Sequence, residues 1–241
     1  MKILIVRHGD PDYSIDGLTE KGKKEVEFLA DRLCRENIKK VYCSTLGRAR
    51  LTAQPTLDRL GIKAEYCEWL REFGYVNIEP TYTEYQRRCW DLMPRLVNEC
   101  DALYSPTEWK EIDFVKKSDL EECLKIVTDS FDETLAKHGY VRDGRSYRVV
   151  NSNHDTIVFV CHFGIEAQLL GHIFSLSPFS IAQNTIALPS SVTTLYSEER
   201  EEGIAQFKMC GFGDVSHLYA NNEEPAFSGR FCECFTDDTR H

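Results

Sequence analysis

Two apolar stretches of the sequence each end in a histidine. Arg7 and His8 follow the β-branched run 2–6, and His162 follows the run 156–161. Continuous apolar runs of this length are typical of strands buried on both faces of a parallel sheet. An arginine fork matches phosphate oxygens, and the ordinary pKa of histidine allows a neutral nucleophile near pH 7. Because open α/β sheets bind ligands at the carboxyl ends of their strands, the two turns predict one site for phosphate chemistry.

Other polar residues follow predicted strands and can converge on the same edge of the sheet. Arg48 lies in the first turn of the helix predicted after strand 40–43, where free N–H groups and the helix dipole favour an anion. Arg50 is two residues away and competes for that role. Glu72 follows the strand predicted at 64–69 and can supply a carboxyl group for proton transfer. Each of the three side chains is also consistent with an ordinary solvated surface position.

Alternating strands and helices predict the fold that positions these residues. Apolar residues at helical spacing, with capping residues before them, indicate helices at 19–36, 46–60, 119–138 and 165–174. Short apolar runs indicate strands at 2–6, 40–43, 64–69, 156–161, 192–197 and 204–209. This alternation implies right-handed crossovers between parallel strands. We therefore predict a three-layer α/β/α fold with a mostly parallel central sheet and a largely helical insertion over the active site.

The length of the chain suits one domain. A chain of 241 residues would be cramped as two equal domains, so 1–241 is predicted to form a single one. Tyrosine, tryptophan, arginine and acidic residues mix after the third strand, and 74–150 is therefore predicted to be an insertion or cap. The polar segment 212–241 is predicted to be a poorly ordered tail.

Composition excludes several classes of partner. With 29 Lys and Arg against 39 Asp and Glu, the formal net charge is −10, which disfavours a nucleic acid or an anionic membrane as a partner. The longest apolar runs, 3–6 and 157–161, are too short to span a bilayer, and we expect a cytoplasmic protein.

Ten cysteines without a C-x-x-C pair predict reduced core thiols. A metal site at Cys232 and Cys234 is the alternative, but it lacks a second pair of ligands.

Four segments in order give the chain a resemblance to a known family. It resembles the histidine phosphatase superfamily, in the phosphoglycerate mutase-like group, over about residues 1–73 and 156–197. The matching segments are R-H-G with the preceding valine (6–9), L-T-E-K-G (18–22), the stretch around Arg48 (44–53), and V-C-H-F-G (160–164).

The resemblance implies a role for each candidate residue. His8 would be the nucleophile that becomes phosphorylated, Glu72 the proton donor, and Arg7, Arg48 and His162 the residues that hold the phosphoryl oxygens. In the acid phosphatase branch the acid follows the second histidine, where Phe163 stands in this chain, so the mutase-like branch fits better. The implied activity is hydrolysis of a phosphate monoester through a phosphohistidine, with no metal ion and no cofactor.

The sequence also departs from the family pattern. Ser14 takes the place of an asparagine that contacts substrate in several members. Asp10 and Asp12 add negative charge beside the predicted phosphate site, and they either form a plain turn or receive a hydroxyl group or cation of the substrate. Segment 73–78 does not resemble the residues with which mutases retain a bisphosphate, so hydrolysis is favoured over a phosphomutase reaction.

Several properties stay open at this level. Arg87, Arg88, Trp90 and Arg95 of the insertion either contact a second anionic group or ring of the substrate or form a solvated helix face. A small phosphate ester, a sugar phosphate, a nucleotide and a phosphoprotein all fit as substrates, and the oligomeric state cannot be read from the sequence. A non-catalytic module that binds phosphorylated ligands is a further alternative, although both the nucleophile and the acid are present.

Overall fold

The computed structural model describes residues 1–73, 88–230 and 232–237, which form an α/β fold. Its strands are β1 (Lys2–Arg7), β2 (Pro11–Asp12), β3 (Gly17–Leu18), β4 (Ile38–Ser44), β5 (Ala64–Cys67), β6 (Tyr140–Asp143), β7 (Ser146–Val149), β8 (Thr156–Cys161), β9 (Val192–Glu201) and β10 (Ile204–Asp214). Its α-helices are α1 (Glu20–Leu33), α2 (Gly47–Leu60), α3 (Pro94–Glu99), α4 (Asp113–Lys116), α5 (Leu120–Lys137), α6 (Phe163–Phe174), α7 (Pro178–Ala182) and α8 (Ser216–Tyr219).

The central sheet has eight strands in the order β5-β4-β8-β1-β9-β10-β7-β6, and β2 pairs with β3 separately. Strands β5, β4, β8 and β1 are parallel, whereas the pairings from β1 through β9, β10 and β7 to β6 are antiparallel. The sheet is therefore mixed rather than mostly parallel. Tight turns explain the antiparallel half, because Gly144 between β6 and β7 and Gly203 between β9 and β10 adopt positive φ angles of 58° and 78°.

Helices cover both faces of the sheet, as the three-layer prediction requires. Leu4 and Val6 of β1 pack with buried residues of α1 and α2 on one face. Ile3 and Ile5 point to the opposite face and join the buried residues of α5 and α6. Because neither face of β1 meets water, its apolar run is continuous instead of alternating. The predicted strands and helices at 2–6, 40–43, 156–161, 19–36 and 46–60 are confirmed to within a few residues.

Two segments differ from the sequence prediction. The described part of the predicted helical insertion contains helices α3 to α5, but 140–149 forms the hairpin of β6 and β7 and extends the main sheet. Residues 74–87, where the predicted insertion begins, lie outside the described residues. In the segment predicted to be a poorly ordered tail, β10 continues to Asp214 and α8 follows. Leu218 of α8 is fully buried, which attaches this segment to the body of the protein.

The described residues include several buried thiols. Cys43, Cys67, Cys89, Cys123 and Cys161 are free and buried, in agreement with the prediction of reduced core cysteines. Burial raises the pKa of Cys43 to about 12, so this thiol stays protonated at neutral pH. Among the described residues, no helix combines the length and the apolar content needed to cross a membrane.

Gly22 of α1 is predicted to be essential for stability. A Cβ on this residue would overlap the carbonyl oxygen of Asp10, which belongs to the turn after β1. Since the overlapping atom is backbone, no side-chain rotation relieves it, and we expect Gly22→Ala to lower the free energy of unfolding by about 2–4 kcal/mol. Urea denaturation measures the change. Gly211→Ala is the matched control, because no atom lies within 4 Å of its added Cβ. Equal unfolding midpoints for the two variants would contradict the prediction.

Candidate active site

The carboxyl ends of β1 and β8 bring the two histidines together. The strands are parallel neighbours with Arg7 opposite Cys161, and the backbone N–H of His8 donates to the Cys161 carbonyl at 3.0 Å. The ring centroids of His8 and His162 lie 5.0 Å apart, and both side chains are buried. The two turns singled out in the sequence therefore contribute to one site.

His8 is held as a neutral imidazole with one nitrogen free. Its Nδ1 lies 2.8 Å from the carbonyl oxygen of Gly9, a pure acceptor, so Nδ1 carries the proton and donates it. Burial holds the pKa of His8 well below its ordinary value, and the charges of Arg7 and Arg48 lower it further. The lone pair on Nε2 is then available for nucleophilic attack at neutral pH.

Arg7 is buried beside His8, and part of its guanidinium group forms no hydrogen bond. Its Nη1 donates to the Ala187 carbonyl at 2.6 Å and to the Ser228 carbonyl at 3.4 Å. Its Nε has no hydrogen-bond partner. The backbone of Gly229, at a φ of 90°, packs so closely that an added Cβ would lie 3.0 Å from both terminal nitrogens. The C-terminal segment thus reaches back to the site, which the sequence did not predict.

Arg48 enters the site from the first turn of α2, and Arg50 does not. Arg48 is buried, and its Nη1 donates to Oδ1 of Asp16 at 2.6 Å, while its Nε has no partner. The other oxygen of Asp16 accepts from the N–H of Gly47 at 2.6 Å, so one carboxylate fixes both the helix start and the arginine. Arg50 is exposed and stacks on Tyr66 at 4.4 Å from the ring centroid.

His162 is oriented by a buried serine. Oγ of Ser44 lies 2.8 Å from Nε2 of His162 and accepts from the N–H of Leu46 at 3.3 Å. Because the Ser44 oxygen already accepts from the Leu46 N–H, we assign its hydroxyl proton to the hydrogen bond with Nε2 of His162. The ring proton of His162 then lies on Nδ1. Nδ1 is buried and has no partner. Burial and the neighbouring His8 and Arg48 hold the pKa of His162 well below its ordinary value.

The contact between Ser44 and His162 gives a testable prediction. Ser44→Ala removes the donor that fixes the imidazole tautomer, and we expect kcat/KM for p-nitrophenyl phosphate to fall about tenfold, the equivalent of one hydrogen bond. Thr134→Ala is the control, because Thr134 is an equally buried hydroxyl that bonds to Ser130 O within α5. Equal activity of the two variants would show that Ser44 does not orient the ring.

Glu72 approaches the same site from the segment after β5. Its Oε1 accepts from the backbone N–H groups of Phe73, at 2.9 Å, and Gly164, at 3.0 Å. A Cβ on Gly164 would overlap both this oxygen and the ring of Trp90, so the carboxylate can approach α6 only over a glycine. Burial raises the pKa of Glu72, against the opposing charges of Arg7 and other arginines.

The residues of the predicted insertion divide between the site and the surface. The Arg88 guanidinium lies 5.3 Å from the centroid of the Trp90 ring, and its charge acts on Glu72. Arg95 is exposed, and Arg87 lies outside the described residues. Arg88 and Trp90 are thus the described insertion residues placed to contact a substrate.

The aspartates after His8 have structural partners. Asp10 accepts from Oγ1 of Thr19 at 2.8 Å and from Oγ of Ser228 at 2.6 Å. Asp12 accepts from both the N–H and the hydroxyl of Ser14, at 3.0 and 2.5 Å, within an exposed turn. The structure therefore supports the turn-forming alternative for these carboxylates, and Ser14 is engaged in that turn.

Sequence reasoning missed three polar residues that support the site. Asp16 and Ser44 hold Arg48 and His162, as described above. Glu25 of α1 is fully buried and accepts from the N–H of Asp10 at 2.9 Å, and burial raises its pKa to about 7. A polar residue at an apolar position of a helix, as Glu25 is, was the available signal.

Three unpaired nitrogens show what the site can bind. Nε of Arg7, Nε of Arg48 and Nδ1 of His162 are all buried donors without a partner. A buried donor left unpaired costs about 1–3 kcal/mol. The charges of Arg7 and Arg48 both act on His8 and His162, so donors on these neighbouring residues fit an acceptor-only ligand such as a phosphoryl group. No group of three or more histidine, cysteine, aspartate or glutamate side chains among the described residues is arranged to hold a metal ion.

Comparison with known proteins supports the same kind of site. The family model of the histidine phosphatase superfamily (branch 1) matches residues 3–208. Over 88 residues, the chain is 39% identical to the mitochondrial serine/threonine-protein phosphatase Pgam5 of Drosophila melanogaster, covering 32% of this chain and 30% of that protein. Over another 88-residue match it is 30% identical to phosphoserine phosphatase 1 of Hydrogenobacter thermophilus, covering 33% of this chain and 39% of that protein. The matches therefore span less than half the length of these relatives.

Solved structures share the fold. A mycobacterial glucosyl-3-phosphoglycerate phosphatase, solved with a vanadium oxyanion, superposes with a TM-score of 0.57 at 17% sequence identity. The match covers 88% of this chain and 98% of the mycobacterial protein. At this sequence identity, the likeness shows that the two proteins share the α/β fold and shows nothing about their activities.

Proposed function

This chain belongs to the histidine phosphatase superfamily, and we propose from that premise that it hydrolyses a phosphate monoester through a phosphohistidine at His8. The observation that carries the proposal is the set of three unpaired buried donors, on Arg7, Arg48 and His162, around a neutral imidazole. Such donors complement the charge on the equatorial oxygens of a phosphoryl group in transfer.

The first proposed step transfers the phosphoryl group to the protein. Nε2 of His8 attacks phosphorus with its lone pair, and the bond from phosphorus to the ester oxygen breaks in line with the attack. The electron pair leaves on that oxygen, which takes a proton from the carboxyl group of Glu72 and departs as the alcohol. Hydrogen bonding of Nδ1 to Gly9 stabilises the positive charge that develops on the imidazole.

The second proposed step regenerates the protein. The Glu72 carboxylate, now ionised, accepts a proton from a water molecule, whose oxygen attacks the phosphorus of phospho-His8. The bond between phosphorus and Nε2 breaks, and the electron pair returns to the imidazole. Inorganic phosphate leaves, and both His8 and Glu72 are back in their initial protonation states. The guanidinium groups of Arg7 and Arg48 and the imidazole of His162 supply the electrostatic stabilisation, so this route requires no metal ion.

The substrate class follows from the site and from the relatives. The names of the relatives describe phosphatases that act on phosphoserine, a glucosyl phosphoglycerate and phosphoproteins, and a phosphate monoester is common to these substrates. Of these substrates, we favour the small phosphorylated metabolites over phosphoproteins. The buried free thiols support a location in a reducing compartment such as the cytoplasm.

Hydrolysis of p-nitrophenyl phosphate with a chelator present tests the proposal. We expect turnover between pH 5 and 8, release of one phosphate per nitrophenol, and no loss of rate on chelation. Purified, folded protein that binds vanadate without any hydrolysis would overturn the phosphatase assignment. Conversion of a polyol phosphate into its positional isomer, with no net release of inorganic phosphate, would assign a phosphomutase.

A further inference from the structure

A second cavity lies at the opposite end of α6 from the candidate active site. It is open to solvent, has a volume of about 320 Å³ and is lined by residues of α5, α6, segment 106–110 and the turn between β6 and β7. His162 immediately precedes α6, and Gly171 and Ser175 line the cavity at its other end. A helix of 12 residues is about 18 Å long, so the two sites are separate.

The charge of the cavity walls opposes the charge of the protein. Lys110, Arg142 and Arg145 line the cavity, and none of the described residues that line it is acidic, although the chain has a net charge of −10. Lys110 pairs with Glu121, which partly neutralises its charge, and Nε2 of His172 lies 2.8 Å from Oδ2 of Asp132. The arginines remain as the source of positive potential.

Arg142 is fixed in place without a carboxylate partner. Its Nε donates to the Gly144 carbonyl at 2.7 Å, and its Nη1 donates to the Tyr147 hydroxyl at 2.9 Å. Its Nη2 donates to the His172 carbonyl at 3.0 Å and to Oγ of Ser175 at 3.2 Å. These acceptors are neutral, so they hold the guanidinium group rigidly while leaving its charge uncompensated. Arg145, on the adjacent turn, is exposed.

The remaining walls are apolar, with one buried amide. Pro106, Trp109, Leu124 and Leu176 contribute the apolar side. Gln168 of α6 also lines the cavity, with its side chain 1% exposed. Its Nε2 donates to the Pro178 carbonyl at 3.2 Å, and its Oε1 is buried without a hydrogen-bond partner. Gln168 is thus fixed by the Pro178 carbonyl and presents almost no polar surface to the cavity.

We propose that this cavity binds a small organic anion with an apolar body. The anionic group lies at Arg142 and Arg145, and the body packs against Trp109 and Leu124. The volume is at the lower end of the range of about 300–1,000 Å³ typical of small-molecule sites. Carboxylates, sulfonates and phosphates share the required chemistry.

Binding of 8-anilinonaphthalene-1-sulfonate to the full chain tests this proposal. The compound is an aromatic sulfonate, and it carries no phosphate ester that the candidate active site could hydrolyse. We expect a saturable fluorescence increase with one site per chain, and competition by octanoate but not by octanol. Saturation of the candidate active site with orthovanadate is expected to leave the dissociation constant unchanged.

Two charge-reversal variants locate the bound anion. Arg145→Glu is expected to raise the dissociation constant at least tenfold. Arg148→Glu is the matched control, because Arg148 is an exposed arginine of the same hairpin and is not among the residues that line the cavity. Thr128→Trp fills the cavity from α5 and is expected to abolish binding. Equal weakening by both arginine variants, loss of binding with vanadate, or equal competition by octanol would overturn the proposal. Unchanged p-nitrophenyl phosphate hydrolysis shows that each variant is folded.

Discussion

His8→Gln is expected to lower kcat for p-nitrophenyl phosphate by about 10⁴-fold or more. Glutamine approximates the size of the imidazole, but its amide nitrogen has no lone pair able to attack phosphorus. The site otherwise stays intact, because the arginines are held by Ala187 and Asp16 and not by His8. The KM for substrate, or the affinity for vanadate, should therefore change much less than kcat.

His138→Gln provides the control for the loss of a histidine. His138 follows the last residue of α5, is half-buried and bonds to the Tyr42 hydroxyl through Nε2 at 2.9 Å. We expect this variant to retain the activity of the unmodified protein. Glutamine at position 8 cannot form a phosphohistidine. A His8→Gln variant that keeps more than about 1% of the normal kcat would therefore exclude this route.

The intermediate itself offers a second measurement. Substrate labelled in its phosphoryl group should label the unmodified protein after a rapid quench in base, and the label should be lost in acid, as expected of a phosphorus–nitrogen bond. His8→Gln should carry no label. Label that survives acid in the unmodified protein would place the phosphoryl group on a different residue.

The position of His8, the proposed nucleophile, could be predicted because local sequence patterns determine it. The runs before His8 and His162 are continuous and apolar, so they predict central strands, and the next residue must then lie at the carboxyl edge of the sheet. Arg48 and Glu72 follow from the same rule applied to β4 and β5. In each case, the position depends on a strand end that the sequence marks clearly.

The supporting residues could not be located in this way. Asp16 meets Arg48 across 32 positions, and Ser44 meets His162 across 118. Neither contact has a local signature, because a polar residue in a turn or at a strand end is ordinary in any soluble protein. The contact of Ser228 with Arg7 spans 221 positions and reverses the expectation of a free tail.

The β6–β7 hairpin was missed for a related reason, whereas the strands at 192–197 and 204–209 were predicted. Gly144 marks the turn of the β6–β7 hairpin, but both strands are only four residues long and carry charged residues. Their buried tyrosines, Tyr140 and Tyr147, pack on Phe207 of β10 with ring centroids 5.6 and 5.0 Å away. Their stability therefore comes from a strand about 60 residues later in the sequence, which a local pattern cannot report.

Glu72→Gln is expected to separate substrates by their leaving groups. For an alkyl phosphate, the departing alkoxide needs a proton, and we expect kcat to fall about 10²–10³-fold. For p-nitrophenyl phosphate, the leaving group is stable as an anion, so the phosphorylation step should change less than tenfold. Glutamine keeps an oxygen that can accept from Phe73 and Gly164, which preserves the local backbone.

Glu68→Gln is the matched control, because Glu68 is exposed in the same segment and its carboxylate pairs with Arg71. It should leave both substrates unaffected. Rates measured with a series of phosphate esters give the dependence on leaving-group basicity. That dependence should steepen in Glu72→Gln, and an unchanged slope would exclude Glu72 as the proton donor.

The pH dependence of the rate follows from the shifted pKa values of His8 and Glu72. His8 must be neutral, and since its pKa is held well below its ordinary value, activity persists as the pH falls below 6.5. Glu72 must be protonated, and because burial raises its pKa, the rate for an alkyl phosphate is lost as the pH rises through that raised value. Bound phosphate cancels the arginine charges that oppose the shift, so the alkaline limb of kcat should lie at higher pH than that of kcat/KM. Glu72→Gln should remove this limb, because glutamine does not titrate; an alkaline limb that persists in the variant would assign it to a different group.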